Sequence, residues 1–537
     1  MLKRCCVASS MFLASVVSVS LVGVASAQWT DDASVNTPVV AQAQDQDVIK
    51  LGVAPDGSSW VGWFDFQPGG IQVRVQRLGA DGVATFAPGG LLVSDHPQNS
   101  FVVDWDLRAD RDGNCVLTFV DTRSGGDFDV YAYLIAPDGT MLWGADGVTI
   151  SDNTEFEADP RIIQNSDGDY LVVWSRFDVA PGLYLQRLSP GGAIELAAGG
   201  VKIAGAGSEE PAFAEIEPTA DGDFIASWVR DTSTFFADRH VMAQRFGSDG
   251  SERWAAGGVV VMDATVVPIA HRPRLLEAGG GAVIAWHDTR DGDFDCYVQR
   301  LDAAGVNVWP HNGVSVSTEG ARQQLDPAIA FSPGGDVMVF YRNMDGSQNF
   351  QAINVQRVDV SGLRALGDAG VALTSLDNQF RGPPRAASVP GGVAGIYDDQ
   401  PVLGSTDGVL TMFRVDDAGD LLDESPIVVS SAPSSKGRLS LSGVGDGALI
   451  AAWSDDRNGN EDVFAQRVNA DGALGGAGGC NAADLAEPFG SLDFSDVVAF
   501  LGAFAAMDAS ADLAAPFGSW DFSDVVAFLG AFGGGCP

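Results

Sequence analysis

From Val39 to Gly472 the apolar positions fall in short runs, alternating with polar residues or continuous, each bounded by Gly, Asp or Asn. The runs are too short for helices and rich in Val, Ile, Phe and Trp, so they predict strands. They also repeat. A Gly-containing turn is followed six residues later by an aromatic: Gly57 by Trp63, Gly113 by Phe119, Gly168 by Trp174, Gly222 by Trp228, Gly280 by Trp286, Gly334 by Phe340, Gly391 by Tyr397 and Gly447 by Trp453. The eight aromatics lie 54 to 58 residues apart. Gln-Arg-Leu or a near variant comes next, at Arg77, Arg187, Arg245, Arg300, Arg357, Arg414 and Arg467, with Leu134 replacing the Arg in the second unit. A short Gly-Val run closes the unit, as at Gly147-Val148, Gly200-Val201, Gly258-Val259 and Gly313-Val314.

Each unit thus holds about four strands, and a lone four-stranded sheet of this size cannot bury both faces. Stacking the sheets in a closed ring does so, which predicts an all-β, eight-bladed β-propeller. A β-solenoid or two smaller propellers are the competing arrangements. The eighth unit lacks its Gly-Val run, because Ala473 to Gly479 is a Gly-rich linker. Thr37-Pro38-Val39-Val40, preceded by Trp29, resembles the Trp-then-strand pattern at Trp143 and Trp254. An N-terminal strand completing the last blade would close the ring and remove its open edges.

The period then changes. Val497, Phe500, Leu501 and Phe504, and again Val525, Phe528, Leu529 and Phe532, stand at i, i+3, i+4 and i+7, one face of a helix in each of two copies 28 residues apart. Asp493 and Asp521 are natural N-caps, with Asp496 and Asp524 three residues on. The two apolar faces predict a helix pair in which Phe500, Leu501 and Phe504 meet Phe528, Leu529 and Phe532. Cys480 and Cys536 bracket the pair, and an oxidising compartment would permit a bridge between them.

Residues 480 to 537 resemble a dockerin, a tandem of loop–helix repeats related to EF-hands, and more closely the Gly-Cys-ending variant found at the C-terminus of secreted planctomycete-type proteins. The resemblance implies a small α-helical anchoring module with a cohesin-like or envelope partner. It makes Asp484, Asp493, Asp496, Asp512, Asp521 and Asp524 the candidate calcium ligands. Asp484 and Asp512 match the first loop position. Ala486, Pro488, Ala514 and Pro516 fall at the third and fifth, where no side-chain oxygen is available.

The first 27 residues read as an export signal: Lys3 and Arg4, an apolar stretch from Met11 to Val24, and Ala25-Ser26-Ala27 before Gln28. The expected organisation is a signal peptide at 1–27, a propeller at 28–472, a linker at 473–479 and the dockerin-like repeat at 480–537. A secreted or cell-surface-associated protein with no membrane insertion follows. Charge narrows the partners. The formal net charge of −40 argues against nucleic acid and anionic lipid. Cys115 and Cys296 sit inside apolar runs and read as buried small hydrophobes.

Units two, five and eight carry a fuller acidic signature: Asp121-Thr-Arg123 with Asp129, Asp288-Thr-Arg290 with Asp295, and Asp455-Asp-Arg457 with Asp462. Its pattern, WxDxR followed by DV(Y/F)xQR, resembles repeats of secreted bacterial propeller-type proteins. These carboxylates could bind calcium or sugar, or could pin the hairpin through Arg–carboxylate pairs, the reading that recurrence in three blades favours. His96, His240, His271, His287 and His311 show no metal-ligand spacing and read as ordinary polar residues. No catalytic motif stands out, so no catalytic residue is assigned. Two functions remain: a non-enzymatic propeller binding or scaffold protein attached through its tail, with a polysaccharide as possible ligand, or a secreted carbohydrate-active hydrolase or lyase.

Overall fold

The computed structural model describes residues 29–98, 104–207, 209–231, 239–265, 267–268, 271–476, 483–486, 492–511, 513–514 and 520–534. Residues 1–28, among them the segment read as an export signal, lie outside them, as do Cys480, Cys536 and Asp512.

Eight antiparallel sheets follow one another along the chain, seven of four strands and one of five, giving an eight-bladed propeller. The first strands of successive blades contact each other and line the axis: Gln46–Val53, Asp106–Ala109, Glu157–Gln164, Ala212–Pro218, Arg274–Ala278, Arg322–Phe331, Phe380–Arg381 with Arg385–Val389, and Lys436–Gly443. Eight buried apolar clusters hold the ring, each joining two adjacent blades. One joins Ile450 and Val463 of the last blade to Val61 and Trp63 of the first.

The fourth strand of the last sheet comes from the other end of the chain. Thr37–Val40 pairs antiparallel with Asp462–Val468. Its approach repeats a device used elsewhere. The Trp143, Trp254 and Trp309 indoles donate to Pro190, Ala303 and Val360 carbonyls of the next blade, and Trp29 donates to Ala80 of the first blade at 2.9 Å. Each ring lies against a turn glycine with positive φ, Gly192, Gly305, Gly362 and Gly82 respectively, where a Cβ would come within 2.7 Å of the indole.

The sequence motifs have local structural reasons. The buried Gln of Gln-Arg bonds both N–H and C=O of the connector ahead of the fourth strand: Gln186 takes Leu196 N–H and donates to Ala197 O, and Gln244, Gln299 and Gln356 do the same in their blades. The periodic aromatics pack within their own blade as well as between blades. A Cβ on Gly200, at the start of a Gly-Val strand, would lie 2.4 Å from Trp174.

One register differs from the sequence expectation. In the sixth unit the left-handed turn residue is Gly335, not Gly334. The aromatic six residues later is therefore Tyr341, fully buried and bonded to Ala369 O at 2.6 Å. Two adjacent glycines hid the offset, since only the φ of the turn separates them.

The tail contains α1 (Phe494–Ala506) and α2 (Phe522–Gly534). Phe500 and Phe528 are 1% exposed and stack at 4.1 Å, with Val497, Ala503, Phe504, Val525 and Phe532 around them. Leu501 and Leu529, expected in this seam, are each 58% exposed. Ala503 and its counterpart Ala531 pack against the Phe500–Phe528 pair instead.

Candidate functional site

The acidic signature is the first candidate, and its geometry is structural. Asp121, Asp288 and Asp455 are fully buried, and each pairs with the Arg two residues on. Those arginines also donate to the carbonyls of Asp146, Asn312 and Val35, just ahead of the fourth strand of the same blade. The indoles of Trp286 and Trp453 donate to Asp288 and Asp455, so the whole Trp-x-Asp-x-Arg pattern is one clasp. Arg123, Arg290 and Arg457 lie 3.6–3.8 Å above the rings of Tyr131, Tyr297 and Phe464. These carboxylates have no access to a ligand.

The companion acids are different. Burial pushes Asp129 up to about 7, with Asp127, Asp152 and Glu157 adding repulsion and the Asn153 N–H opposing. Burial likewise raises Asp295, to about 6 among like charges, and Asp462, where the Asn458 and Asn460 side chains oppose it; the adjoining Glu461, also among like charges, is raised to about 7. A raised folded pKa gives stability that is full below the unfolded value near 4 and is lost as pH rises through 6–7. The carboxylates held low, such as Asp455 and Asp446, weaken the fold only below pH 4. The melting temperature should therefore rise as pH falls from 8 to about 6.5, below which His271 and His287, buried and held under the ordinary His value of 6.5, oppose the rise. A scan in which it falls contradicts these assignments.

The axis carries the second candidate. In each blade one first-strand residue pairs with the residue just before the periodic aromatic. Going round, these are Lys50, Asp106, Arg161, Glu215, Arg274, Ala328, Arg385 and Ser440. Two residues earlier the strand is broken. Val48, Asp159, Phe213, Asp326 and Arg438 have φ of 50–56°, each inside a register shift, and Gly382-Pro383-Pro384 splits the seventh strand. Left-handed backbone costs a non-glycine residue about 1–2 kcal/mol, most for β-branched Val48. Such bulges re-aim side chains, and here they precede five members of a ring of eight equivalent positions.

Charge alternates round half of this ring. Lys50, Arg161 and Arg274 flank Asp106 and Glu215. One residue pair nearer the mouth, Asp104 accepts Lys50 at 2.7 Å, Arg161 at 2.6 Å and Arg272 at 3.3 Å. Burial works to raise Asp104, but these three cations hold it well below the usual carboxylate range. Arg272 also reaches Asp159 and Glu215. At the far level Arg108 reaches across to Glu217 at 3.3 Å.

On the other half the alternation fails, because blades six and eight place Ala328 and Ser440 there. Among the described residues, Arg274 and Arg385 have no carboxylate within ion-pair distance. Burial lowers the Arg274 pKa, and Arg272 adds to this against Glu215. Burial, with Arg274 beside it, lowers Arg385 to about 10. The resulting pocket, about 360 Å³, is lined by six cations (Lys50, Arg161, Arg272, Arg274, Arg385, Arg438) and three carboxylates (Asp104, Asp106, Glu215). A net positive site inside a chain of net charge −40 can hold an anion, with two guanidiniums ready for bidentate bonds.

His271 and His287 are packed with ring centroids 4.2 Å apart beside Arg274, and burial, with Arg274 among the opposing charges, keeps both pKa values low. His287 Nδ1 accepts Asp326 N–H, and His271 Nε2 is buried with no hydrogen-bond partner among the described residues. Sequence motifs missed the axial ring because no one side chain recurs there through all eight blades. The one local signal was His271-Arg-Pro-Arg274, a dense basic run in an acidic chain.

In the tail, Asp496 accepts the N–H groups of Leu485, Ala486 and Asp493 at 2.8 Å, and Asp524 accepts those of Leu513, Ala514 and Asp521 at 2.8–2.9 Å. Asp493 caps α1 and Asp521 accepts Ser523 N–H. Asp484 is buried ahead of α1. Both oxygens of each loop-closing carboxylate are thus engaged by backbone donors, which does not fit calcium ligation, and no metal-holding cluster occurs among the described residues. Cys115 and Cys296 are buried free thiols. No described helix is long and apolar enough to cross a membrane.

No family model and no curated protein matches the chain. Among solved structures, it is similar to an ulvan lyase of polysaccharide lyase family PL25 bound to a GlcA(1-4)Rha3S saccharide, at 10% identity over 83% of this chain and 97% of that one, with a TM-score of 0.44. It is also similar to the GH93 α-L-arabinofuranosidase of Fusarium graminearum in complex with arabinobiose, at 12% identity over 60% and 96% of the two chains, with a TM-score of 0.35.

Proposed function

We propose that the protein is a secreted carbohydrate-active propeller that takes an acidic polysaccharide at its axial pocket. The observation that carries this reading is the unpaired Arg274 and Arg385 in a net positive pocket of a strongly acidic chain. Their charge costs stability, and a carboxylate or sulfate on a sugar would offset it. The pocket volume is at the lower end of the range for small-ligand sites, enough for one or two sugar units.

Within this reading, elimination suits the residues better than hydrolysis. A glycosidase needs a carboxylic acid and a second carboxylate, whereas Asp104 and Glu215 are neutralised by arginines. Arg274 and Arg385 would neutralise a uronate carboxylate and so acidify its α-proton. Solvent water would take that proton, the bond from C4 to the glycosidic oxygen would break, and the hydronium formed would protonate the leaving oxygen; His271 is not the base, since its Nε2 is buried and it does not line the pocket. The chain acting on a panel of uronate polysaccharides should release products with the ultraviolet absorbance of an unsaturated uronate. Tight binding with no such absorbance would leave the non-enzymatic scaffold reading in its place.

The tail is the proposed attachment module for a cohesin-like or envelope partner. Phe494, Val498 and Leu501, and their repeats Phe522, Val526 and Leu529, form duplicated apolar positions 53–78% exposed, which supports a docking role. A Cys480–Cys536 bridge, outside the described residues, would secure so small a core. In thermal unfolding of residues 480–537, reductant should lower the midpoint more than chelator does. The opposite order would make the module a calcium dockerin.

A further inference from the structure

A second cavity, about 350 Å³, lies between blades seven and eight and shares Arg385, Arg438 and Leu439 with the axial pocket. Its wall carries three cations, Arg385, Lys436 and Arg438, against one carboxylate, Asp398. That carboxylate is out of a ligand's reach: one oxygen accepts Gln400 Nε2 and the other is enclosed. Lys436 is buried as well, its Nζ donating to Gly408 O, Ala432 O and Ser434 Oγ at 2.6–2.7 Å. None of these acceptors carries charge. What a ligand can touch is therefore two guanidiniums. Arg385 is half-buried and donates only to Pro384 O, from Nη1; its Nε and Nη2 have no partner among the described residues and are not enclosed. Arg438 is 51% exposed and meets only Asp47, from Nε at 3.5 Å, which leaves both Nη groups without a partner among the described residues.

Arg438 stands there at a cost. Its φ of 50° is left-handed, inside the register shift of its strand. Of the residues at this position in the five bulged strands, Val48, Asp159, Phe213, Asp326 and Arg438, it alone is a cation. Strained backbone of this kind persists where a site needs it, and here it sets a guanidinium at the boundary of two cavities. Arg274 and Arg385 together can hold one acid group at the axis; Arg438 is the donor left over. We infer that the cavity between blades seven and eight is a second anion subsite, in which Arg438 and Arg385 hold the acid group of the sugar next to the one bound at the axis. The inference rests on the acidic-polysaccharide reading of the axial pocket and narrows the substrate class to polymers with acid groups on neighbouring units. The two Nη groups of Arg438 offer the fork that a carboxylate or sulfate takes bidentately. A neutral sugar there would desolvate two guanidiniums without meeting their charge. Phe380, Pro383 and Leu403 line the same cavity and supply apolar surface for the ring of the bound sugar.

The test is calorimetry of the full mature chain, in the cold so that turnover is negligible, with matched pairs of probes. These are tetragalacturonate and tetramannuronate, each as the free acid and as the methyl ester on alternate units. The wild-type chain should bind a free acid at least about tenfold more tightly than its half-ester. The net charge of −40 repels the more acidic probe at long range, so such a preference has to come from cations at the site. Arg438→Gln should weaken the free acid about ten- to a hundredfold, the loss of charge-assisted hydrogen bonds, and so remove the preference. Arg438→Lys, which keeps the charge but not the fork, should recover part of it. Both variants should melt close to wild type, since the one ion pair they lose, to Asp47, is half-exposed and long. Equal affinity for free acid and half-ester, or an Arg438→Gln chain that keeps the preference, overturns the second subsite and leaves the axial reading in place. A wild-type chain that binds none of the probes overturns both.

Discussion

Deleting residues 28–42 should unfold the whole propeller rather than loosen one end. The segment buries Trp29, Val39 and Val40 at 4–5% exposure in the cluster that joins the last blade to the first. Burying three such side chains is worth about 5–9 kcal/mol, against a total stability of about 5–15 kcal/mol for a typical protein. The deletion also removes the Asn36 bonds to Val429 O and Gln466, and leaves Arg457 without the Val35 carbonyl. Two sheet edges would be exposed at once. The shortened chain should be insoluble or should lose its cooperative transition, and a synthetic 29–42 peptide should restore part of it by strand addition. An unchanged melting temperature would show that the ring holds without this strand.

Replacing Arg274 and Arg385 together by Gln should abolish binding of acidic polysaccharide and yet leave the fold as stable as before or more so. Each guanidinium offers charge-assisted bonds worth about 1.5–3 kcal/mol, so the pair accounts for about a hundredfold to ten-thousandfold in affinity. Both have a folded pKa below the usual Arg value, chiefly through burial, so their charge opposes folding at neutral pH and its removal relieves the fold. Asp104→Asn is the contrasting case. It strips Lys50, Arg161 and Arg272 of a shared partner, and breaking such a buried pair costs about 3–5 kcal/mol. If the double arginine variant is destabilised like Asp104→Asn, the two arginines are structural. Retained binding would rule the axial pocket out as the site.

What recurs was legible. The turn glycine, the aromatic, Gln-Arg and the Gly-Val strand predict eight four-stranded units because each blade must solve the same packing problem with the same side chains. Thr37–Val40 was recognisable for that reason: Trp29 repeats the pattern of Trp143. The axial pocket was not legible for the opposite reason. Lys50, Asp106, Arg161, Glu215, Arg274 and Arg385 stand at one structural position, but no single residue type runs through the eight blades there. The bulges that align them depend on φ at Val48, Asp159 and Phe213, which no pattern of apolar positions encodes. In the tail the helical period located both helices, but it could not tell which side of Phe500 is covered, so Leu501 was placed inward although the seam runs along Ala503.

The central claim, that the axial pocket recognises the acid group of a polysaccharide, is tested most directly by affinity electrophoresis of the mature chain in gels holding a uronate polysaccharide or the same polymer after its carboxylates are reduced to alcohols. The account predicts retardation in the native polymer that weakens with salt, free migration in the reduced one, and free migration of the Arg274→Gln, Arg385→Gln chain in both. Equal retardation by the two polymers, or retardation that survives loss of both arginines, would contradict it.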